Sequence, residues 1–145
     1  MKIHLAADHA GYRLKETIKK HLLGQGYEVQ DHGAFAFNSE DDFPDFIIPC
    51  ARSVAADPES RGLIFGGSGQ GEAMAANRVK GIRAAVYYGG TEEIVLLSRR
   101  HNNANVLSLG ARFVTEEEAL KVIVLWLKEA FEHGRHDRRI RALDQ

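Results

Sequence analysis

Five short apolar runs, each followed by a segment with helical spacing, set the limits on what this chain can become. The runs are Ile3 to Ala7, Tyr27 to Asp31, Gly62 to Gly66, Ile82 to Tyr88 and Val106 to Leu109. Between the first two, Leu14, Ile18 and Leu22 recur four apart, and Gly24 and Gly26 follow to end a helix. Pro44 suits the first turn of a second helix, on which Phe46, Cys50 and Val54 share a face and Pro49 should introduce a kink. Thr91 is placed to cap a helix with Glu92 and Glu93 in its first turn and Arg99 and Arg100 in its last, a charge order matched to the helix dipole. Thr115 and Glu118 form a capping box that starts the last long helix. Strands alternating with helices pair in parallel and are covered on both faces. Right-handed crossovers then predict a doubly wound, three-layer α/β fold, in which ligands sit at the carboxyl ends of the strands. At 145 residues the chain reads as one domain spanning 1–145.

The last long helix carries an expectation of its own. Leu120, Ile123, Val124, Leu127 and Phe131 cover one face, but Val122, Leu125 and Trp126 extend the apolar surface around the cylinder. A surface helix shows a single stripe. The face around Val122 and Trp126 is therefore expected in a subunit contact, most simply a twofold dimer.

Composition narrows the functional classes. A net charge of −1 implies no general attraction to nucleic acid or anionic membrane. The single cysteine, Cys50, excludes an internal disulfide and fits a reducing compartment. The segment Met1-Lys2-Ile3-His4-Leu5 lacks the layout of a signal peptide, and no apolar run approaches membrane-spanning length, so a cytoplasmic location is expected.

The chemistry concentrates in Gly66-Gly67-Ser68-Gly69-Gln70-Gly71-Glu72, between the third strand and the alanine-rich helix that begins Ala73-Met74-Ala75-Ala76-Asn77. Four glycines let the backbone turn sharply and bring its N–H groups close to a ligand. The following helix start adds unpaired donors and partial positive charge, so the loop suits an anion. Ser68 and Glu72 then place a hydroxyl and a candidate base at the same spot.

Familiar motifs fail on spacing. No lysine follows the glycine run, against a Walker loop, and the dinucleotide pattern belongs after the first strand rather than the third. A GxSxG nucleophile elbow needs glycine at position 70, which is Gln70. Asp8 and His9 are adjacent, unlike an Asp-x-His cobalamin ligand, and a phospho-acceptor aspartate would stand where Gly66 does. His133 and His136 lack further ligands nearby, so no metal site is expected. What survives is a phosphate site, a carboxylate and polar residues supplied by Asp8-His9, His101-Asn102, Arg112 and the tail from Arg135 to Arg141. Arg135 and Arg139, four apart, point the same way on a helix and can fork onto one phosphate. Each has a plainer alternative: the tail as a solvated helix, His101 as a C-terminal cation, Asp8 as a helix cap, the glycine run as a tight connection.

Taken in order, Ala7-Asp8-His9-Ala10-Gly11, Asp42-Phe43-Pro44, the glycine run with Glu72 and Ala75-Ala76-Asn77, Arg99 through Asn105, Gly110-Ala111-Arg112 and Arg135-His136-x-x-Arg139 resemble the type B ribose-5-phosphate isomerases, a group that includes galactose-6-phosphate isomerase subunits. The resemblance runs over essentially the whole chain. It implies a Rossmann-like α/β/α sandwich, here a five-stranded parallel sheet with a C-terminal helical tail. It also implies a homodimer, with pairing into tetramers open, whose active sites are shared between subunits. One branch of the family carries its base as a cysteine at the end of the third strand, where this chain has Gly66; the other uses a glutamate at the head of the next helix, the place of Glu72.

The roles implied by the resemblance are as follows. Glu72 moves the proton between C2 and C1. Backbone N–H groups of residues 67–71 (Gly67, Ser68, Gly69, Gln70, Gly71) and the Ser68 hydroxyl stabilise the enediolate. His101, helped by Asp8, opens the sugar ring. His9, Arg112, Arg135 and Arg139 hold the phosphate, and Asn102 orients sugar hydroxyls. Such proton transfer calls for no cofactor. Enediolate charge must be met by prearranged donors, and a partly desolvated glutamate is a competent base. A helix N-terminus lowers a carboxyl pKa while burial raises it, and the sequence leaves that contest open. Phe43 stands where many members have tyrosine, which bears on pentose against hexose preference. The alternatives are a hexose 6-phosphate (allose or galactose 6-phosphate) isomerase and a non-catalytic phosphosugar sensor.

Overall fold

Each apolar run becomes a strand and each helical segment a helix in the computed structural model, which describes residues 1–145. The order is β1 (Lys2–Ala7), α1 (Tyr12–Gly24), β2 (Glu28–Asp31), α2 (Pro44–Ala56), β3 (Arg61–Gly66), α3 (Gln70–Asn77), β4 (Ala84–Tyr87), α4 (Glu92–Arg100), β5 (Val106–Gly110), α5 (Glu116–Lys128) and α6 (Arg135–Ala142). All five strands are parallel in the order β2-β1-β3-β5-β4. The chain leaves β1 toward β2 and returns to β1's other side as β3. The strand order therefore reverses between β1 and β3, where a doubly wound sheet opens a crevice at its carboxyl edge. There Ala7 is registered with Phe65, which places Asp8 beside Gly66 and Gly67.

The Rossmann-like three-layer sandwich expected from the sequence is the observed fold. One side of the sheet is covered by α1, α4 and α5, around Ile18, Leu63, Phe65, Leu107, Ile123 and Trp126. The other is covered by α2 and α3, around Ile47, Cys50, Val54, Ile64 and Ala76. Both expected caps form: the Thr91 side chain accepts from the Glu93 N–H, and Thr115 and Glu118 make the reciprocal capping box. Two local expectations shift. Strand β4 spans only Ala84–Tyr87, because the Asn77 side chain brackets its start, accepting from the Ala84 N–H at 2.7 Å and donating to the Ala84 carbonyl at 3.1 Å. Helix α2 continues through Pro49 to Ala56, held by a buried face of Ile47, Cys50, Ala51 and Val54.

The reading of α5 needs correction. Val122 and Trp126 are fully buried within the chain itself. The Trp126 indole donates to Ser98 Oγ at 3.2 Å and lies 5.9 Å from the Arg99 guanidinium, so α4 covers the face that the sequence suggested for a subunit contact. A helix wedged between two neighbours needs two apolar stripes without any partner chain.

Lys15 is buried with no exposed side-chain surface, and its ammonium is held by both Asp31 oxygens, at 2.9 and 2.7 Å, and by Glu16. Asp31 Oδ1 also accepts from the Gly33 N–H at 2.9 Å. This ion pair pins the segment after β2, where the Ala7 N–H donates to the Gly33 carbonyl and the Ala34 N–H to the Ala7 carbonyl. The approach to Asp8 is thereby fixed from both sides.

Candidate active site

At the carboxyl edge, the turn from β3 into α3 is shaped by close contacts that only glycine permits. A Cβ at Gly66 would overlap the Glu72 carboxyl group, so that group lies directly on the strand end. Gly69, at φ 79°, takes the left-handed conformation and caps α3. Its carbonyl accepts from the buried Ser108 hydroxyl at 2.6 Å, a strap from β5 that holds the loop from below. The Ser68 hydroxyl accepts from the Gln70 N–H at 3.3 Å, and the Ala73 N–H donates to Gly69, which closes the first turn of α3. Gly71 lies under the Phe43 ring, which an added Cβ would approach to 3.0 Å.

Glu72 is 5% exposed on this first turn. Burial drives its carboxyl above the ordinary value, its own backbone N–H opposes the shift, and the nearby Asp8 charge adds to it. Of the two opposing influences, desolvation is the larger here. Cys50, by contrast, is fully buried in α2, its thiol pushed up by desolvation, as a core residue should be.

Asp8 is buried and its Oδ1 accepts from the Ala10 and Gly11 N–H groups at 3.0 and 3.4 Å, which orders the turn ahead of α1; the helix itself has Gly11 at its N-cap and no side-chain cap. His9 follows, half-exposed, and Arg112 completes the group. The Arg112 N–H donates to the Gly67 carbonyl at 3.1 Å, and its guanidinium lies against Gly67, where an added Cβ would come within 3.0 Å of Nη1. Asp8, His9, Gly67 through Glu72 and Arg112 thus form one site: a cationic rim, a ring of backbone donors and a desolvated carboxyl group.

The remaining predicted residues are not brought there. Helix α4 runs from the carboxyl edge back to the amino edge, leaving His101 and Asn102 in the turn that enters β5. Asn105 in that turn accepts the Gly62 N–H at 2.9 Å. The Glu132 N–H donates to the Arg100 carbonyl, so α6 with Arg135 and Arg139 starts at the same edge. Gly62 and Gly66 bound β3, and four strand steps separate the two edges by roughly 13 Å. Within one chain His101 therefore does not reach Asp8. The split follows from the parallel topology, which sets every strand-to-helix turn at one edge and every helix-to-strand turn, this one included, at the other.

The amino-edge group has its own geometry. The His101 and His136 rings stack at 4.5 Å and 16°, and the Glu132 carboxylate lies 3.7 Å from His101 Nε2 and 4.0 Å from His136 Nε2. These three ligand atoms lie within 4.8 Å of one another. Near-parallel rings, however, direct their lone pairs along near-parallel planes, so the trio does not converge on one ion as it stands. A second trio, Asp8, His9 and Asp41, has His9 Nδ1 already bonded to Asp41 Oδ1 at 2.7 Å. Arg135 and Arg139 are exposed on one face of α6, as their spacing predicts. Ser108, Asp41 and Glu132 are the contributors the sequence reading missed, and none stands in a motif with a chemical signature.

Comparison with known proteins shows the family. The family profile described as Ribose/Galactose Isomerase matches residues 3–143. Ribose-5-phosphate isomerase B of Mycobacterium tuberculosis is 42% identical over 141 residues, covering 97% of this chain and 86% of the relative. The Escherichia coli protein of the same name is 37% identical over 142 residues, covering 98% and 93%. Among solved structures, ribose-5-phosphate isomerase B from Mycoplasma genitalium with bound ribulose-5-phosphate superposes with a TM-score of 0.93 at 42% identity, covering 98% of this chain and 93% of that one. The Thermotoga maritima ribose 5-phosphate isomerase gives a TM-score of 0.92 at 41% identity, covering 99% and 97%.

Proposed function

This chain belongs to the ribose/galactose isomerase family, and from that membership we propose that it interconverts ribose 5-phosphate and ribulose 5-phosphate through an enediolate, with Glu72 as the base. The observation that carries the reading is the Glu72 carboxyl group, buried against Gly66 and raised above its ordinary pKa by desolvation. A desolvated carboxylate is a stronger base than a solvated one, so the upward shift favours proton abstraction. In the open-chain aldose Glu72 removes the C2 hydrogen as a proton and delivers it to C1. The charge that builds on the carbonyl oxygen meets the N–H groups at the head of α3 and the Ser68 hydroxyl. His9 and Arg112 hold the phosphate at the rim, which fixes the reacting carbons above Glu72.

Ring opening needs an acid–base group beside the ring oxygen, the role proposed for His101, with Arg135, Arg139 and Asn102 beside it. Those residues lie a sheet length from Glu72 in the same chain, so the reading requires a second copy to supply them. The surface flanking the site suits that copy. Met74, Tyr88, Ile94 and Phe113 are exposed around α3 and the unpaired edge strand β4, and a twofold contact there would bury apolar side chains next to Glu72.

A coupled assay across ribose, allose and galactose phosphates tests the substrate, and Glu72→Gln tests the base. Native turnover of ribose 5-phosphate is expected, with kcat reduced roughly 10²- to 10⁴-fold in Glu72→Gln while the fold persists. Turnover confined to a hexose 6-phosphate overturns the pentose reading, and near-native kcat in the variant overturns the base.

A further inference from the structure

His9 makes an unusual pair of bonds to a residue on the loop between β2 and α2. Its backbone N–H donates to Asp41 Oδ1 at 3.0 Å, and its ring Nδ1 lies 2.7 Å from the same oxygen. One carboxylate oxygen thus fixes both the end of β1 and the rotamer of the imidazole. The Asp41 side chain is 8% exposed, and its second oxygen, Oδ2, is buried with no hydrogen-bond donor. A buried carboxylate in that state depends for its charge on its cationic neighbour. No other cation is within ion-pair distance of it, and both hydrogen bonds to its side chain come from His9.

We propose that Asp41 is the positioning residue of the phosphate anchor: its carboxylate holds the Nδ1 proton and the ring orientation of His9, and leaves Nε2 as the nitrogen presented to the phosphate. The inference rests on the isomerase reading for the identity of the anion, and on the chain's own geometry for the pairing.

The other groups around the ring support the assignment. Asp8, at the end of β1, has Oδ2 4.0 Å from His9 Nδ1, too far to hold the proton, and its Oδ1 is committed to the turn into α1. Arg112, from the turn after β5, is the opposing cation. Phe37, on the same loop as Asp41, meets the His9 ring edge-on at 6.2 Å and limits its swing. The hydrogen bond to Asp41 is the largest influence raising the His9 imidazole above its ordinary value; Asp8 adds to it, and partial burial and Arg112 oppose it. A charged imidazole makes a charge-assisted bond to phosphate, where a neutral ring offers a weaker donor, and the Asp41 bond favours the charged form.

Asp41→Asn separates charge from shape, since the amide oxygen can still accept both bonds. The His9 ring-proton titration, followed by NMR, is expected to move its midpoint down in the variant, with the exposed His133 as unshifted control. KM for ribose 5-phosphate is expected to rise on the order of tenfold at a pH between the two measured His9 midpoints and little at a pH below both, with kcat changed less than KM. Asp41→Glu should recover part of the loss. An unmoved His9 midpoint, or a KM increase equal at both pH values, overturns the inference and reduces Asp41 to a loop tether. Absence of native turnover would instead sink the isomerase reading. In that event the NMR midpoint, measured with and without inorganic phosphate, still decides the role of Asp41.

Discussion

Replacing Gly66 with alanine puts a single methyl group where the Glu72 carboxyl group lies, and the consequence can be worked through. The added Cβ would overlap all three carboxyl atoms, so the group must withdraw by roughly 1–2 Å to reach ordinary contact. The α3 backbone cannot follow, because Gly69 is strapped by Ser108 from below and the Ala73 N–H closes the turn above it. The side chain must therefore rotate away, leaving the phosphate rim of His9 and Arg112 in place. Misplacing a reacting group by about 1 Å costs about 100-fold in rate, or about 2.7 kcal/mol in barrier. Overpacking of this kind costs about 1–3 kcal/mol of stability, a Tm decrease of roughly 2–12 °C for a chain of this size. The expected variant is folded, binds substrate with KM within a few-fold of native, and has kcat down at least about 100-fold. The decisive comparison adds Glu72→Gln in the same chain. If the methyl group acts only by moving the base, the double variant is no slower than Glu72→Gln alone, since a base already lost cannot be displaced. A kcat for Gly66→Ala within about threefold of native, or additive losses in the double variant, would refute the reasoning. The same contact gives a physical reason why a side chain at the end of β3 and a glutamate at the head of α3 exclude one another.

The division of the site between the two sheet edges predicts complementation. Glu72→Gln and His101→Asn, each inactive alone, should recover about a quarter of native activity when mixed and allowed to exchange subunits. Random pairing makes half the dimers mixed, each with one intact site of two. Absence of recovery despite verified exchange would reject the shared site, and a monomer mass by sedimentation at micromolar concentration would reject it outright. At low pH, buried His4 and half-buried His32, 3.0 Å apart, should contribute to the loss of stability. Burial lowers the His4 pKa to about 4 and also lowers that of His32, so protons bind the unfolded chain first. Stability should be level above about pH 6.5 and fall as pH drops from there toward about 4. His4→Asn should flatten that slope in a Tm-against-pH series, and an unchanged slope would acquit the pair.

The sequence by itself determined the architecture, because strand and helix periodicities, caps and glycines are local signals that tertiary packing here reinforced. The doubly wound sheet, the cap at Thr91, the capping box at Thr115 and the glycine turn ahead of Glu72 were all legible. So was the helix that carries Arg135 and Arg139. What the sequence could not carry is anything settled by which elements end up adjacent. The second apolar face of α5 looked like a subunit contact and proved to be buried under α4, since a hydrophobic pattern says that a face is covered but not by what. Burial raises the Glu72 carboxyl above its ordinary value, which the sequence could not show because desolvation is a property of the surroundings. Asp41 and Ser108 lie far along the chain from the groups they hold, and only the folded chain brings them into bonding distance. The family resemblance gave His101 a role beside Asp8 in a site shared between subunits, and the parallel topology sets the two at opposite edges of one chain. Motif order along a chain records which residues occur, whereas the direction of each crossover decides which of them can meet.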